Sequence, residues 1–360
     1  MGPSLPLLRS EPSRIPAAPC VRLSALWIQI TGTWCNLECT HCLNASGPKD
    51  PWLRPLDAET ARRAIREAEA LGVEEIYFTG GEPFLHPAIL TLLGEALERT
   101  EYRRIAVFGG VYNNSLALEA MLEDARRRDV EAVFCLGDMG GFGPHPDRVF
   151  PLLREHRVLA IQGNYDESLA SGRADCGCGY TDPRDNHFAR ISYEYTFTRT
   201  SSVNRAWLGT LPRHRRVRLG EHGVLMCHGS PRVINEFLWE STTPNGLLRR
   251  FLQGEATDVL LCTHTGIKWH RALPGGGHAV NVGVIGRPEN DGSTNVWYAV
   301  LSTGPDLDVE FVPVHYEHET LARQIEREGL PAEFAETIRT GWWTTCLENL
   351  PAKERIRGKF

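Results

Sequence analysis

Three cysteines stand at a spacing that suits an iron–sulfur cluster. The segment TGTWCNLECTHC spaces them as C-x3-C-x2-C, at Cys35, Cys39 and Cys42. Thiolates are the usual ligands of such clusters, and three of them leave one iron of a four-iron cluster open to another ligand. The alternative from the residues alone is a zinc site in which His41 or His86 is the fourth ligand. Both interpretations predict a metal centre in this part of the chain.

A second group of metal-binding side chains follows the predicted strands EAVFCLGD, RVLAIQGNYD, GVLMCHGS and DVLLCTHTG. The polar residues at the ends of these strands are Asp138, Asn164, His228 and His264. Because functional groups converge at strand ends in layered α/β folds, we expect these four side chains to meet in one site. Their oxygen and nitrogen atoms suit iron, manganese or zinc. One such ion can polarise a phosphoryl oxygen or acidify a bound water.

The elements that position the cysteines have a parallel α/β pattern. VRLSALWIQIT predicts a buried strand directly before the cysteines. Asp57 is a predicted N-cap, followed by apolar residues at helical spacing and a stop at Gly72. EEIYFTGGEP predicts a second strand and HPAILTLLGEALE a second helix. This βαβα order places a ligand site at the carboxyl ends of the strands.

These N-terminal motifs resemble the radical S-adenosylmethionine (SAM) superfamily. The resemblance rests on the cysteine motif followed by TGGEP, and it implies a [4Fe-4S] cluster on the three cysteines whose open iron binds SAM. It also implies that His41 lies near the adenine. The residues implied to contact the methionine amino group are Gly80, Gly81 and Glu82. The pattern changes at residue 101 after two strand–helix units, so we expect a truncated module in which cluster binding is better supported than radical catalysis.

The ordered motifs GD, GN, HGS and HT resemble the calcineurin-like metallophosphoesterases, as does the turn NVGVIGRPEND over 281–291. The resemblance implies a four-layer α/β/β/α fold, in which two β-sheets are flanked by helices. Two metal ions in that family share an aspartate, hold a nucleophilic hydroxide and clamp the phosphate. Asp138 matches the shared aspartate. The residues that match the other protein ligands of one metal are Asn164, His228 and His264.

The ligands of the second metal are missing at three positions. The family has an Asp-x-His pair and a further histidine where this sequence has Gly110, Tyr112 and Gly266. The second metal is therefore expected to be absent or to use substitute ligands. Nearby candidates, each more typical of a surface or turn residue, are Asn113, Asn114, His145, His187 and His270.

The residue after the GN asparagine is Tyr165, where the family usually has a histidine that assists the reacting phosphate or leaving group. A phenol with a pKa of about 10 can donate a proton or a hydrogen bond, but it does not titrate near neutrality as an imidazole does. The resemblance therefore implies a catalytic group of His228, Asn164 and Tyr165, with hydrolysis weakened by the substitutions.

An insertion between GNYD and HGS carries Cys176 and Cys178. This C-x-C pair is expected to be a poor disulfide, because adjacent extended residues point their side chains apart. The two thiols could instead bind a soft metal or act in redox chemistry, with Cys346 as a third member. Plain buried or free thiols are the alternative.

Composition sets the domain organisation. A chain of 360 residues with 42% hydrophobic content allows two or three compact units. We expect a disordered leader over 1–22, a truncated radical SAM-like iron–sulfur module over 23–101, a phosphoesterase-like domain over 102–316, and C-terminal helices and a tail over 317–360. The last ten residues are expected to be solvent-exposed.

Charge and hydropathy limit the partners. The net charge of −6 gives no drive toward nucleic acid or acidic membranes. No segment approaches a signal peptide or the roughly 18 apolar residues of a membrane span, so a cytoplasmic protein is expected. Its ten cysteines then indicate metal or redox chemistry. The expected partners are a phosphorylated small-molecule substrate, a reductant protein for the cluster, and a second copy of the chain.

Together these motifs predict a metal-dependent phosphoesterase, acting on phosphate mono- or diesters, joined to a [4Fe-4S] and SAM-binding module. One alternative is a radical SAM enzyme whose second domain holds a phosphorylated substrate. Another is a non-hydrolytic metal and iron–sulfur protein used for sensing or electron transfer.

Overall fold

The computed structural model describes residues 25–42, 45–49, 52–71, 73, 75–97, 101–304 and 306–356. The chain divides into two compact units, with the boundary between Arg99 and Thr100. The leader expected over 1–22 lies outside the described residues. No helix within the described ranges is long and apolar enough to cross a membrane.

The N-terminal unit has the predicted βαβα order. Its described elements are β1 (Ala25–Gln29), α1 (Ala58–Ala70), β2 (Glu75–Thr79) and α2 (Ile89–Leu97). The two strands pair in parallel, and Asp57 caps α1 by accepting the Thr60 N–H at 2.9 Å. The buried apolar residues that hold the unit together are Ile28, Ile30, Ala61, Ile65, Ile89 and Leu92.

The strands described in the C-terminal unit are, in chain order, β3 (Glu101–Tyr102), β4 (Arg104–Phe108), β5 (Ala132–Cys135), β6 (Leu159–Ala160), β7 (His214–Leu219), β8 (His222–Cys227), β9 (Val259–Cys262), β10 (Trp269–Ala272), β11 (His278–Asn281), β12 (Val296–Thr303) and β13 (Leu307–Val314). They form two sheets. One has the order β10-β11-β9-β8-β7-β3, and the other has the order β13-β12-β4-β5-β6.

The helices described in this unit are α3 (Ser115–Arg127), α4 (Val149–Glu155), α5 (Asn164–Ser171), α6 (Pro183–Arg199), α7 (Ser202–Leu208), α8 (Asn245–Gly254), α9 (His318–Arg327), α10 (Ala332–Thr340) and α11 (Ala352–Arg355). Helices α3 to α7 contribute to the core on the outer face of the five-stranded sheet. Helix α8 packs against β8 and β9 on the outer face of the other sheet.

Side chains in the strands alternate between two cores. In β4, Ile105 and Val107 lie in the core between the sheets, whereas Ala106 and Phe108 lie in the core beneath the helices. This alternation follows from the period of two along a strand, since each sheet is covered on both faces. The unit is therefore a four-layer α/β/β/α sandwich, and the predicted fold is confirmed.

Parallel pairing brings the functional loops to common edges. Strands β4, β5 and β6 run parallel in one sheet, and β8, β9 and β11 run parallel in the other. The loops that follow these strands therefore leave each sheet at the same edge.

The C-terminal helices dock on the sandwich rather than standing free. Leu321 and Ile325 of α9 and Phe334 of α10 share a buried cluster with Phe188 and Tyr195 of α6. The expectation that the last ten residues are exposed is met by Ala352, Lys353, Arg355 and Ile356 and is wrong for Glu354. Glu354 is buried, because its carboxylate accepts hydrogen bonds from the backbone N–H and hydroxyl of Ser241, at 2.8 and 2.5 Å.

Candidate metal centre

Four strand ends supply the candidate ligands. Asp138 follows β5, His228 follows β8, His264 follows β9, and Asn164 is the first residue of α5 after β6. Asp138 and His264 have positive φ angles of 60° and 68°. Residues other than glycine rarely adopt this conformation, and it persists where the surrounding structure enforces it.

The carboxylate of Asp166 links the loop that carries Asp138 to the loop that carries Asn164. The side chain of Asp166 accepts the backbone N–H groups of Asp138 at 2.7 Å, Met139 at 3.0 Å and Gly163 at 2.9 Å. Burial, followed by the nearby charge of Asp138, raises the pKa of Asp166 to about 7. Sequence reasoning did not single out Asp166, although it lies in the GNYD motif two residues after Asn164.

The ring nitrogens of His228 have separate roles. Its Nδ1 lies 2.6 Å from the carbonyl oxygen of Leu136. A carbonyl can only accept, so Nδ1 carries the hydrogen and Nε2 keeps its lone pair. That Nε2 lies 3.2 Å from Oδ2 of Asp138 and 3.1 Å from Nδ1 of His264. Among the described residues, these three side chains form a buried group of ligand atoms within 4.8 Å of one another.

The charge states suit metal binding. Burial acts to raise the pKa of Asp138, but His228 and His264 hold it below its usual value. Burial and the neighbouring His228 lower the pKa of His264 to about 3. Burial acts to lower the pKa of His228, but the Asp138 carboxylate outweighs it and raises the value. An ionised carboxylate and neutral imidazoles are the forms that coordinate a metal, so a proton on His228 would compete with the ion.

Asn164 is the fourth predicted ligand. Its Nδ2 donates to the carbonyl oxygen of Cys176 at 2.9 Å, while its Oδ1 and the Nε2 of His264 are buried without a hydrogen-bond partner. The next residue, Tyr165, donates its backbone N–H to Oδ1 of Asp138 at 3.0 Å. A buried polar atom left without a partner is costly, so the orphaned Oδ1 of Asn164 fits a divalent ion held by oxygen and nitrogen.

The Tyr165 hydroxyl lies 2.8 Å from Oγ of Ser192 in α6. Burial raises the pKa of this phenol well above its usual value. Ser192 Oγ also accepts the Phe142 N–H at 2.6 Å. The contact between Tyr165 and Ser192 therefore links α5 to α6. A catalytic role for Tyr165 stays a prediction.

Cys176 and Cys178 form a disulfide, with Cα atoms 5.3 Å apart. The expectation that this pair is a poor disulfide is wrong. It assumed an extended chain, but Gly177 has a φ of 61° and turns the two cysteines toward each other. Cys178 Sγ lies 3.6 Å from Asn164 Nδ2, so the bridge borders the metal centre. Cys346 is not part of it, and burial raises the pKa of its thiol.

The substitute ligands considered for a second metal have other contacts. Asn113 Nδ2 donates to Gly143 O at 2.9 Å, and Asn114 caps α3 by accepting the Ala117 N–H at 3.0 Å. His270 Nε2 lies 3.0 Å from Nδ1 of His278. His145 lies 3.9 Å from a carboxylate oxygen of Glu328, and the ring of His187 packs edge-on against Phe188. None of the three histidines joins the Asp138 group within the described chain.

In the N-terminal unit, the cysteine loop packs against the TGGEP turn. Gly81 donates its N–H to Gly32 O at 3.0 Å, and Glu82 donates its own to Trp34 O at 3.1 Å. A Cβ on Gly81 would lie 2.0 Å from Trp34 O, so only glycine fits there. The structure thus brings Gly80, Gly81 and Glu82 beside the predicted cluster ligands.

Backbone N–H groups point at two of the sulfurs. Leu37 N lies 3.4 Å from Sγ of Cys35, and Ser46 N lies 3.3 Å from Sγ of Cys42. Such contacts stabilise thiolate charge in iron–sulfur sites. Cys35 is buried, whereas Cys39 and His41 are exposed.

The zinc alternative loses one of its ligands. Nε2 of His86 lies 2.9 Å from Leu56 O, and its Nδ1 accepts the Ala88 N–H at 3.2 Å. Both ring nitrogens are therefore engaged with the backbone. A zinc site on the three cysteines would depend on His41.

Comparison with known families agrees with both halves of this description. Residues 104–304 match the calcineurin-like phosphoesterase superfamily domain, and residues 30–135 match the radical SAM superfamily. The first match covers more than half of the chain, which therefore belongs to the calcineurin-like phosphoesterase superfamily.

Individual relatives support the fold of the C-terminal unit. An uncharacterized protein of Methanocaldococcus jannaschii is 24% identical over 251 residues, which are 66% of this chain and 98% of that protein. A hypothetical protein of Pyrococcus horikoshii has a TM-score of 0.58 at 21% identity, covering 68% of this chain and 100% of that one. A metallophosphoesterase of Sphaerobacter thermophilus has a TM-score of 0.52 at 24% identity, covering 67% and 99%. At these identities the similarity shows the fold alone.

The N-terminal unit has a shorter match. The GTP 3',8-cyclase of Chlorobaculum tepidum is 42% identical over 59 residues, which are 16% of this chain and only 17% of that protein. The radical SAM match extends to residue 135. However, β4 and β5 pair with each other, and β4 also pairs with β12, so this last part belongs to the sandwich. The radical SAM domain is therefore partial.

Proposed function

We propose that the C-terminal unit is a metal-dependent hydrolase of phosphate mono- or diesters. The observation that carries this proposal is the buried convergence of Asp138, His228 and His264. The unpartnered Oδ1 of Asn164 adds to it, since the next residue, Tyr165, donates its N–H to Asp138. Membership of the calcineurin-like phosphoesterase superfamily supports the same chemistry.

Some residues would hold the ion, and others set the orientation of those ligand side chains. Asp138, Asn164, His228 and His264 would hold one divalent ion, either iron, manganese or zinc. When bound, the ion polarises a phosphoryl oxygen and acidifies a water molecule. Leu136 O keeps the lone pair of His228 on Nε2.

The burial of the ligand residues indicates the substrate class. The ligand residues are almost fully buried, at 4% exposure for Asp138, 1% for His228 and 8% for His264. A site of this kind accepts the phosphoryl end of a small molecule more readily than a polymer. A phosphorylated small molecule is therefore the proposed substrate.

The test is turnover of a generic aryl phosphodiester by protein loaded with manganese, iron or zinc. His228→Ala removes a ligand and should reduce turnover at least about 100-fold, since ligand loss displaces the ion. His270→Ala is the matched control, because that ring pairs with His278 and does not join the metal group. Equal turnover by wild type and His228→Ala would exclude this site. Tight metal binding without turnover of any phosphoester would instead favour a sensing role.

For the N-terminal unit we propose a [4Fe-4S] cluster on Cys35, Cys39 and Cys42, with SAM on the open iron. The contact between Gly81 and the cysteine loop supports this assignment, as does the radical SAM match. Radical catalysis with the sandwich holding a phosphorylated substrate is the second candidate function.

Anaerobic reconstitution separates these alternatives. We expect wild-type protein to take up iron and sulfide, and Cys39→Ala to lose both, while Thr40→Ala serves as the neighbouring control. Deoxyadenosine release from SAM by the reduced protein, absent in Cys39→Ala, would establish radical chemistry. An intact cluster that releases none would assign it to structure or electron transfer. Zinc in place of iron in all preparations would contradict the cluster.

A further inference from the structure

Arg287 is a buried cation that has no counterion in the part of the chain that the structure describes. The residue is only 6% exposed, and its Nε is buried with no hydrogen-bond partner. Within the described residues no carboxylate lies within 4.0 Å of its guanidinium, and no hydrogen bond engages it. An unpaired buried charge is strongly unfavourable, so an anion bound at this side chain would offset that cost.

Aromatic rings hold the guanidinium in place, but they do not provide acceptors for its N–H donors. Its Cζ lies 3.5 Å from the ring centre of Trp343, 5.0 Å from that of Phe142 and 5.8 Å from that of Tyr112. Trp343 is itself held, since its Nε1 donates to Pro288 O at 2.6 Å and its backbone N–H to Asn290 at 2.8 Å. Stacking uses the faces of a guanidinium, whereas its N–H donors point outward in the plane.

The guanidinium lies where the sequence lacks the second metal's ligands. Gly266 is two residues after His264, and a Cβ there would lie 3.4 Å from Nη2 of Arg287. The turn before Arg287 is joined to the loop after β4, because Gly286 N donates to Gly110 O at 2.8 Å. In that same loop, Val111 N donates to Asp138 O at 2.8 Å.

The Tyr112 hydroxyl lies within electrostatic range of both groups. Burial raises its pKa; the charge of Arg287 then acts to lower it, and that of Asp138 to raise it. A Cβ on Gly110 would meet the Tyr112 ring at 2.6 Å, so this ring fills the space beside the loop. At the positions of the three missing ligands, the ring of Tyr112 therefore lies beside Gly110, and the guanidinium of Arg287 lies beside Gly266.

We propose that Arg287 supplies the second positive charge of the site and binds a phosphoryl oxygen of the ligand, beside a single metal held by Asp138, Asn164, His228 and His264. This inference rests on the proposed function and deepens it. A guanidinium is charged at every physiological pH, and its fork of donors matches two phosphate oxygens. It orients the phosphoryl group but does not activate water. Arg287 is thus a ligand-binding residue, and the site needs one ion.

Asp185 is the competing partner for Arg287. Its Oδ1 is buried without a hydrogen-bond partner, and its Oδ2 accepts the Asn349 N–H at 3.1 Å. Burial raises the pKa of this carboxyl, and the opposing effect of the Arg287 charge is small beside it. An external anion is therefore the better explanation of Arg287, and Asp185→Asn tests the alternative directly.

The experiment is calorimetric titration of inorganic phosphate into manganese-loaded full-length protein. Wild type should bind phosphate with one metal per chain, and Arg287→Met should bind it at least tenfold more weakly with the same metal content. Arg287→Lys should fall between them, since it keeps the charge and loses the fork. Arg271→Met is the matched control, because Arg271 of β10 donates to the carbonyl oxygens of Thr243 and Glu240. Asp185→Asn should keep phosphate affinity.

Thermal melts provide a readout that needs no turnover. Phosphate should raise the melting temperature of wild type and not that of Arg287→Met, because only a bound ligand stabilises the folded state. If Arg287→Met does not fold, the affinity of Arg287→Lys and the metal count of wild type decide. Unchanged affinity in folded Arg287→Met or in Arg287→Lys, two metals per chain, or no phosphate binding by wild type would each overturn the proposal.

The two proposals fail separately. Phosphate binding that depends on Arg287, without hydrolysis of any ester, would refute the proposed function and leave this inference standing. Metal-dependent hydrolysis with unchanged KM and phosphate affinity in Arg287→Met would support the proposed function and refute this inference.

Discussion

Asp166 shows that the metal centre depends on a residue that would touch no ion. Three backbone N–H groups converge on its carboxylate, and they come from the loops that carry Asp138 and Asn164. Residues in this supporting position commonly set metal affinity as strongly as the ligands. The positive φ of Asp138 is one of the strained features that this carboxylate helps to hold.

Tyr165→Phe tests whether the phenol is a catalytic acid. Its hydroxyl is paired with Ser192, and burial raises its pKa, so we expect turnover to fall by less than about tenfold. Stability should fall by about 1 kcal/mol through the lost hydrogen bond. Steady-state kinetics and urea unfolding provide both values. Tyr193→Phe is the control, since it loses a hydroxyl bond to Arg173 O. A decrease of about 100-fold or more in kcat would restore Tyr165 to a proton-transfer role.

At the level of elements, α3 is fastened to the neighbouring strand β12 by a carboxylate. Asp124 accepts the hydroxyl of Tyr298 at 2.7 Å, Nε of Arg128 at 2.7 Å and Nη2 of Arg127 at 3.2 Å. Burial acts to raise the pKa of Asp124, but these donors lower it below the usual value. The loop after β4 leads directly into α3, so this contact also fixes one wall of the candidate site.

Asp124→Asn should destabilise the sandwich by about 1–3 kcal/mol at pH 7, because charge-assisted hydrogen bonds are lost. The folded pKa of Asp124 is lowered, so its stabilisation is complete above the unfolded value of about 3.9 and is lost as pH falls below that value. The difference in unfolding free energy between wild type and variant should therefore be constant from pH 7 to about 5 and shrink below about 4.

Urea unfolding over that pH series measures the difference. Glu123→Gln is the control on the same helix, since Glu123 is largely exposed and pairs with Arg127. A difference that stays constant to the lowest pH at which both proteins fold would contradict the assigned charge state.

Strands and their terminal ligands were predictable because a buried strand followed by a polar motif is a local pattern. The role of Arg287 was not, since it depends on stacking against Trp343, which is distant in sequence. The Cys176–Cys178 bridge was missed because the backbone turn at Gly177 was not considered.

On the scale of the whole molecule, the relatives of the two units match different lengths of this chain. The M. jannaschii protein aligns over 98% of its length with only 66% of this chain. The contact boundary between Arg99 and Thr100 agrees with a sandwich that is complete without the N-terminal unit. Domains with their own core can fold alone.

A fragment of residues 100–360 should therefore fold and bind one metal ion. We expect a cooperative unfolding transition and the near-ultraviolet circular dichroism of a packed core. The matched control is a fragment of residues 100–316, which exposes the apolar face of α6 at Phe188 and should aggregate. Size-exclusion chromatography and metal analysis distinguish them. An unfolded 100–360 fragment would show that the sandwich requires the N-terminal unit.

Trp343 lies well beyond residue 304, where the family match ends. The ring stacked on Arg287 is carried by the segment after α10, whereas all four candidate metal ligands precede residue 304. A protease that cut the chain just after Thr340 would spare the metal ligands and free the indole. Such cleavage would separate metal binding from phosphate binding. The cut protein would still contain its metal ion but would bind phosphate weakly.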